Sequence, residues 1–305
     1  MFSFRLTDDF INQYKDKEVP FGFRDAGNNA LGEITFIRTY SRKKEDGTKE
    51  KWHEVCERVI NGMYSIQKDH CKEHRLPWND RKSHASAQEA FDRMFNLKWT
   101  PPGRGLWMMG SEMVMESKNS AALQNCAFVS TRDIDKYDPG ALFSWVMDAL
   151  MLGVGVGFDV LGAEKDMEIL KPKEEETTYI IPDTREGWVE SLRMLIESYF
   201  LGTAPVTFDF SAIRPAGVAI KGFGGESSGP RPLVDMHEFI SAILDKERGS
   251  PISLTAIVDI MNLIGKCVVA GNVRRTAEIV FGPHDSEEYI AVSYTHLTLP
   301  TILLV

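Results

Sequence analysis

LQNCAFV at residues 123–129 and GVGVGF at residues 153–158 are the two short segments that decide the fold. The first contains a compact apolar run, residues 127–129, which is typical of a buried strand, and a second strand-like run follows at residues 158–161. Between them, residues 142–152 have the composition of an apolar helix. A strand, a helix and a second strand in this order predict an α/β domain with parallel strands.

The same alternation continues further along the chain, whereas the part before residue 99 is different. There, apolar residues such as Val55, Val59 and Met63 recur at helical spacing, which predicts a mainly helical layer. We therefore predict a helical N-terminal region over residues 1–98 and an α/β domain over residues 99–291. Further strands are predicted at residues 178–181, 206–210 and 278–281, and further helices at residues 187–200, 236–244 and 254–269.

The composition is that of a soluble globular protein. The chain has 305 residues, of which 43% are hydrophobic and 26% charged, and its net charge is −9. This acidic balance provides no global basic field for a nucleic-acid duplex, so DNA and RNA polymers are not expected as partners. The N-terminus does not resemble a signal peptide, and no apolar run is long enough to span a membrane. We expect a cytoplasmic protein without a membrane partner.

The last fourteen residues are unlike the rest. The segment VSYTHLTLPT at residues 292–301 back-translates onto the end of a transposon adapter used in DNA sequencing libraries. An edge strand followed by a turn is the alternative. We treat residues 292–305 as a non-native tail and expect the natural sequence of this segment to run to about Ala291.

Four cysteines are present, without a CxxC pair, which does not fit a disulfide scaffold in a chain of this length. Cys126 lies in an apolar segment, where a cysteine usually packs as a small hydrophobe. The glycine run at residues 153–157 offers bare backbone suited to phosphate. Together the two features make sulfur chemistry on a nucleotide the alternative to a buried core thiol.

A zinc site is a further alternative for the other cysteines. His53 and Cys56 form one possible pair of ligands, and Cys71 and His74 form another. Each pair has the i, i+3 spacing that places both ligands on one face of a helix. A single helix would keep the two pairs apart, so a turn near residues 68–69 would be needed. Core cysteines beside surface histidines are the competing interpretation, and it is the one we adopt, with no metal site.

Two glycine-rich segments and an arginine pair are candidates for nucleotide binding. The glycines at 153, 155 and 157 follow a predicted helix and precede a strand, which is the reverse of the order in a dinucleotide fingerprint. Residues 221–230, KGFGGESSGP, are either a long connection or a loop that binds phosphate through amides and hydroxyls. Arg274 and Arg275 could bind phosphate or form surface ion pairs with Glu278 and nearby acids.

The segment PDTREGW at residues 182–188 has the features of a helix start. Either Asp183 or Thr184 can serve as the N-cap, and Glu186 would lie in the first turn, where the helix dipole favours a negative charge.

Taken in order, these segments closely resemble the class II, monomeric-type, adenosylcobalamin-dependent ribonucleoside-triphosphate reductases. The resemblance extends from about Arg38 to Tyr289 and rests on long motifs. These are LQNC at 123–126, GVGF at 155–158, PDTREGWV at 182–189, DFSAIRP at 209–215, GFGG at 222–225, NLIGK at 262–266 and VVAGNVRRTAE at 268–278.

The resemblance implies a fold and a reaction. The fold is a ten-stranded α/β barrel with a helical N-terminal region, and this chain would supply that region and the first half of the barrel. The reaction replaces the 2′-hydroxyl of a ribonucleoside triphosphate by hydrogen. Adenosylcobalamin initiates a thiyl radical, and a cysteine pair, re-reduced by a thioredoxin-like dithiol, supplies the electrons for DNA precursor synthesis.

The resemblance also implies roles for individual residues. Cys126 matches one cysteine of the redox pair. Substrate-binding positions are Thr100, otherwise an ordinary turn residue, and Asn125, Gly155 and Gly157. A deoxynucleotide effector would bind in the segments 140–151 and 164–275. Within these, the effector-binding positions are Asp148, Lys221, Gly224, Gly225, Arg274 and Arg275.

In the family, the radical cysteine, the second redox cysteine and the cobalamin-binding segments lie beyond residue 291, so this chain alone is expected to be inactive. No functional motif of the family matches Cys56, Cys71 or Cys267, and none was found between residues 159 and 181. A monomer is expected. Two alternatives remain open, a non-catalytic nucleotide sensor built on the same half-barrel and a dimeric reductase that uses diphosphates.

Overall fold

The computed structural model describes residues 2–20, 31–44, 46–170, 177–218, 220, 226–270 and 276–298, with side chains to residue 293. The chain divides into two compact units, Met1–Gln124 and Asn125–Val305. The division at residues 98 and 99 and the non-native tail remain predictions about domain organisation.

The first unit is helical, as predicted for the part of the chain before residue 99. Its two long helices, α3 (Trp52–Glu73) and α4 (Asp80–Phe95), pack against each other. The apolar residues of α3 recur three and four positions apart, so one face of the helix is buried in the core. The shorter elements are α1 (Asp8–Asn12), α2 (Leu31–Thr35), a π-helical turn (Phe36–Tyr40), α5 (Gly103–Met108), α6 (Glu112–Met115) and a 3₁₀ turn (Ser120–Leu123).

The N-terminal segment contributes more to the core than its polar composition indicates. Phe4, Leu6 and Ile11 are all buried. The Phe4 N–H donates to Ser65 Oγ at 3.0 Å, and the Leu6 N–H donates to Asn61 Oδ1 at 2.8 Å. Because these side chains of α3 pair with the backbone of an extended segment, the segment can be buried without losing its hydrogen bonds.

The zinc hypothesis is not supported by the course of α3. The helix is continuous from Trp52 to Glu73, without the required turn near residues 68–69. At 1.5 Å per residue, Cys56 and Cys71 are separated by about 22 Å along the axis. Cys56 is buried, and burial raises the pKa of its thiol well above the ordinary value. The interpretation of Cys56 as a core cysteine is therefore the better one.

The second unit is an α/β structure with parallel strands. Its strands are β1 (Cys126–Val129), β2 (Gly155–Asp159), β3 (Thr177–Ile180), β4 (Val206–Asp209) and β5 (Glu278–Phe281). One sheet has three strands in the order β1-β2-β5, and a second sheet pairs β3 with β4. All pairs are parallel, so each requires a crossover connection, and α7 (Gly140–Met151) supplies the one between β1 and β2.

Two helices of this unit, α7 and α10 (Leu254–Val269), pack on one face of the three-stranded sheet, α7 against β1 and β2 and α10 against β5. Val156 and Phe158 of β2 are buried on that face. The predicted strands and helices of the α/β part are all present, with ends shifted by a few residues. The helices are α7 (Gly140–Met151), α8 (Arg185–Phe200), α9 (Arg231–Lys246), α10 (Leu254–Val269) and α11 (Glu287–Thr298), with 3₁₀ turns at Thr131–Asp133 and Leu161–Lys165.

The structure identifies the N-cap of α8 and the conformation of the start of the tail. Thr184 is the N-cap of α8, because its Oγ1 accepts a hydrogen bond from the Gly187 N–H at 3.0 Å. Asp183 instead accepts a hydrogen bond from Arg214 Nε at 2.6 Å.

In the tail, α11 continues to Thr298, so the alternative of an edge strand is wrong for residues 292–298.

His237 is a buried histidine between α9, α8 and β4. Its Nε2 lies 3.1 Å from Ser191 Oγ, and its ring packs edge-on against Phe208, with centroids 4.5 Å apart. Nδ1 has no hydrogen-bond partner among the described residues. Burial lowers the pKa of His237 to about 3, so the imidazole is neutral at physiological pH.

Removal of this ionisable group is expected to change the pH dependence of stability. The unfolded chain binds a proton at His237 below about pH 6.5, whereas the folded chain does so only near pH 3. Folding is therefore destabilised as the pH falls through this window, by up to about 1.4 kcal/mol per pH unit. Urea unfolding between pH 7 and 5 should show a shallower loss of stability in H237Q than in the wild type. An unchanged slope in H237Q, or an equal change in H74Q at an exposed histidine, would contradict this.

Candidate active site

One face of the three-stranded sheet is not covered by any helix in the described part of its own unit. We call it the open sheet face and define it by six residues. Side chains alternate along a strand, so residues two apart share a face, and the strand register aligns neighbours across the sheet. Cys126 pairs with Gly155, and Phe128 pairs with Gly157, which pairs in turn with Ile279. The open sheet face consists of Cys126, Phe128, Gly155, Gly157, Ile279 and Phe281.

Cys126 and Gly155 form the accessible corner of this face. The Cys126 side chain is exposed, which excludes the interpretation as a buried core thiol. The Gly155 N–H donates to the Asn125 carbonyl at 2.8 Å, and this is the first hydrogen bond of the pairing between β1 and β2. Among the described residues, a Cβ placed on Gly155 would meet just the carbonyl oxygens of Asn125 and Ala277, at 3.5 and 3.7 Å. No described side chain therefore fills the space above Gly155, next to the thiol.

Gly157 has a different environment, although the sequence places it in the same motif. A Cβ at this position would lie 3.1 Å from the Phe128 ring, 3.3 Å from the Phe281 ring and 3.4 Å from Ile279. The two rings are themselves in edge contact, with centroids 5.9 Å apart. Gly157 is thus covered by apolar side chains of its own sheet face, which gives it a packing role and makes Gly155 the better candidate for a substrate contact.

Asp159 connects the far end of β2 to the segment after β1. Its Oδ1 accepts hydrogen bonds from the N–H and the hydroxyl of Thr131, both at 2.8 Å, and from the Leu161 N–H at 3.2 Å. Burial acts to raise the pKa of Asp159, but hydrogen bonds from Ser130, Thr131 and Leu161 outweigh it and lower the pKa below its ordinary value. An ionised carboxylate therefore fixes the register of β1 against β2.

The opposite face of β5 carries a buried acid. Glu278 lies against α10, and a Cβ on Gly265 would come into steric conflict with its carboxyl group. Its Oε1 has no hydrogen-bond partner among the described residues. Burial raises the pKa of Glu278 to about 8, so the group is mainly protonated at pH 7. The predicted ion pair of Glu278 with Arg274 or Arg275 involves arginines that lie outside the described residues.

In the first unit, Thr100 is exposed and lies between α4 and α5. The segment that follows it is fixed to α3 by Arg58. This guanidinium donates to Glu50 through Nε at 2.6 Å and Nη2 at 3.0 Å, and it donates to the carbonyls of Leu106 at 3.0 Å and Met109 at 2.5 Å. The backbone after Thr100 is therefore held by a part-buried, charge-assisted network.

Asp148 is on α7 and forms an ion pair with Arg185 at the start of α8. Burial raises the pKa of Asp148 even though Arg185 acts in the opposite direction. The pair joins the two helices that pack most extensively in this unit. Asp148 therefore has a structural partner already, and its role in effector binding remains a prediction. The other predicted effector positions, Lys221, Gly224, Gly225, Arg274 and Arg275, lie outside the described residues.

Three apolar residues of the open sheet face were not identified as functional candidates from the sequence. Phe128, Ile279 and Phe281 are all at least half exposed. The signal that could have found them is the period of two along a strand, since Phe128 must share a face with Cys126. Ile279 and Phe281 could be placed beside them only once β5 was known to pair with β2.

Two family models match this chain. Residues 6–111 match the model described as "Ribonucleotide reductase alpha domain", and residues 159–244 match "B12-dependent ribonucleotide reductase, insertion domain". Together the two segments make up more than half of the sequence. The chain belongs to the B12-dependent, class II ribonucleotide reductases.

The sequence is also similar to those of named reductases of this family. A probable adenosylcobalamin-dependent ribonucleoside-triphosphate reductase of Dictyostelium discoideum is 49% identical, and the enzyme of that name from Euglena gracilis is 46% identical; each alignment covers 94% of this chain and 39% of the relative. The enzyme from Lactobacillus leichmannii is 31% identical, with 94% of this chain and 45% of the relative covered. The chain thus spans about two fifths of the length of these reductases.

A solved structure agrees as well. The crystal structure of a B12-dependent (class II) ribonucleotide reductase matches 97% of this chain and 47% of its own, at 28% identity and a TM-score of 0.80. The predicted fold class, a helical N-terminal region followed by part of the reductase α/β fold, is confirmed. The match to the family begins at residue 6, earlier than the predicted start near Arg38. No family motif was predicted for residues 159–181, but this segment matches the start of the insertion-domain model.

Cobalamin is the cofactor of this reductase family, and the open sheet face carries no charged side chain that could hold its polar groups. The open sheet face provides one thiol and three apolar side chains. The described part of the chain also contains no group of three or more histidine, cysteine and acidic side chains placed to bind a metal ion. None of its helices combines the length and apolar composition needed to cross a bilayer.

The different surroundings of the two glycines predict different effects of alanine. G155A should be neutral or stabilising by up to about 1 kcal/mol, because the unfolded chain loses entropy and the folded site has room. G157A should be less stable than G155A by about 1 kcal/mol or more, because Phe128 and Phe281 must move. Urea unfolding of both variants checks this, and a G155A variant less stable than G157A would contradict it.

Proposed function

We propose that the protein represented by this chain reduces ribonucleoside triphosphates to 2′-deoxyribonucleoside triphosphates, with Cys126 as one of its two redox-active thiols. The observation that carries the proposal is the corner formed by Cys126 and Gly155. An exposed thiol stands beside a position that has no side chain, on a sheet face otherwise lined by apolar groups. Such a corner can accept a ribose close to sulfur.

The redox chemistry requires two thiols. Two cysteine S–H groups are oxidised to one disulfide, and the two electrons and two protons they release replace the substrate 2′-hydroxyl by hydrogen and convert it into water. The accessibility of Cys126 suits this role, because its sulfur must reach a substrate, a second sulfur and then an external dithiol. We assign the second thiol and the radical cysteine to the part of the family sequence beyond the region matched here.

The apolar side chains near the thiol support the same role. Phe128, Ile279 and Phe281 form a layer along the open sheet face next to Cys126. When the remainder of the reductase covers this face, these groups exclude water from the reacting sugar. Exclusion of water protects reactive intermediates from side reactions and strengthens the few polar contacts in the site.

Adenosylcobalamin supplies the radical that starts the reaction in the family to which this chain belongs. We assign the binding of this cofactor to the other three fifths of the reductase, as the family resemblance implies. The proposed role of this chain is to provide the redox thiol and an effector-binding insertion domain, with substrate contacts proposed for Asn125 and Gly155 in the second unit and, separately, for Thr100 in the first. A thioredoxin-like dithiol is the proposed reductant.

We propose that the effector acts at the contact between α7 and α8. The segment 140–151, now helix α7, carries Asp148, whose carboxylate is bound to Arg185. A deoxynucleotide phosphate would compete with Asp148 for this guanidinium, since both are bidentate partners of arginine. Binding would therefore change the contact between α7 and α8, which gives the effector a physical route to influence the unit that contains Cys126.

The two alternative functions are less well supported. A nucleotide sensor without catalysis has no need for an exposed thiol beside a bare backbone position. A reductase of diphosphates is disfavoured because the relatives carry the name of triphosphate reductases. We therefore retain the triphosphate reductase as the proposed activity.

Replacement of Cys126 tests the redox role. In the complete reductase, C126S should abolish multiple turnovers with a dithiol reductant, because no disulfide can form at this position, while cleavage of the cofactor cobalt–carbon bond continues. C71S is the matched control, since Cys71 is only partly buried and lies in the other compact unit. Product formation and bond cleavage are measured separately. Loss of cleavage in C126S, or full turnover, would contradict the assignment.

A further inference from the structure

Thr276 makes a side-chain contact with the turn that leads into the Cys126–Gly155 corner. Its hydroxyl donates a hydrogen bond to the Val154 carbonyl at 2.5 Å, across 122 positions of sequence. Val154 immediately precedes Gly155, and it is buried. Thr276 is only partly buried, and it belongs to none of the strands or helices.

The hydroxyl adds a side-chain hydrogen bond to a backbone that main-chain hydrogen bonds already hold. The Gly155 N–H donates to the Asn125 carbonyl at 2.8 Å, and the Val154 N–H donates to the Ala149 carbonyl at 3.0 Å. The Gly155 N–H and the Val154 carbonyl belong to one planar peptide group. The bond to Asn125 therefore holds one side of this peptide, and the Thr276 hydroxyl holds the opposite side.

The second contact restricts how this peptide can tilt. With its N–H bonded to Asn125, the Val154–Gly155 peptide can still turn about that hydrogen bond, since Gly155 has no side chain and Gly153 adopts a positive φ of 80°. The hydrogen bond from Thr276 to the Val154 carbonyl limits this turning. Among the described residues, the atoms nearest to a Cβ placed on Gly155 are backbone oxygens 3.5 Å or more away, so a small tilt of the preceding peptide changes the width of this space.

We infer that Thr276 is a positioning residue for the substrate site, and that its hydroxyl sets the space between Gly155 and the Cys126 sulfur. This inference rests on the proposed function, because that function places a ribonucleoside triphosphate in this space. Thr276 does not touch the reacting atoms. It acts through Val154, and the property it controls is how closely a nucleotide fits beside Cys126.

The test uses the complete reductase, without adenosylcobalamin so that no turnover occurs, and the reactivity of Cys126. The wild type, T276V and T276S are treated with iodoacetamide, and alkylation of Cys126 is followed by peptide mass spectrometry, with and without a ribonucleoside triphosphate. Valine keeps the shape of threonine and removes the hydroxyl, whereas serine keeps the hydroxyl. T255V is the matched control, because it removes a hydroxyl bonded to Glu288. Alkylation of Cys71 in the same sample serves as the internal reference.

We expect nucleotide to slow alkylation of Cys126 in the wild type, T276S and T255V. In T276V the nucleotide concentration that gives half protection should rise about three- to tenfold, the effect of losing one hydrogen bond. The alkylation rate without nucleotide should also change in T276V and not in T276S. Circular dichroism establishes that each variant is folded.

The outcomes separate the two hypotheses. Equal protection and equal nucleotide-free rates in the wild type and T276V would overturn the role of Thr276 and leave the proposed function standing. Absence of protection in the wild type would contradict substrate binding at Cys126. In that case the alkylation rates of Cys126 without nucleotide still test the role of Thr276. An equal rate in the wild type and T276V would refute the claim that Thr276 positions the backbone beside Cys126.

Discussion

The parallel pairing of β1 with β2 is the constraint on which the second unit depends. Two parallel strands cannot be joined by a tight turn, so the chain must cross over, and α7 makes that crossing. The pairing is fixed at both ends, by the bond from the Gly155 N–H to the Asn125 carbonyl and by the bonds from Thr131 to Asp159. Because the register is fixed, Cys126 must lie beside Gly155. A shift by one residue would turn the thiol toward the helices.

The sheet therefore separates two environments. On one face, Val156 and Phe158 pack beneath α7 and α10, and even the carboxyl group of Glu278 is buried there and mainly protonated. On the other face, Cys126 and Phe128 are exposed. Apolar side chains on an exposed sheet face indicate that another surface covers them. The relatives are more than twice as long as this chain, which provides ample sequence for such a cover.

Much of the fold could be predicted from local pattern, because strands and helices follow the spacing of apolar residues. The α/β alternation, the helical first unit and α10 were predicted in this way. The burial of Phe4 and Leu6 was not, since it depends on polar side chains of α3 that pair with their backbone. Cys126 could be singled out by its motif, but local pattern alone would have buried it. The distinct roles of Gly155 and Gly157, and the contact of Thr276 with Val154, depend on pairing between distant segments and cannot be derived from spacing.

The central claim is that the sulfur of Cys126 is oxidised during catalysis. The most direct measurement is to let the complete reductase consume substrate without added dithiol, alkylate the remaining thiols and map the disulfides by mass spectrometry. The account predicts that Cys126 is recovered in a disulfide with a second cysteine, in proportion to the deoxynucleotide formed. Recovery of Cys126 as an alkylated thiol, while product has formed and other cysteines are oxidised, would contradict it.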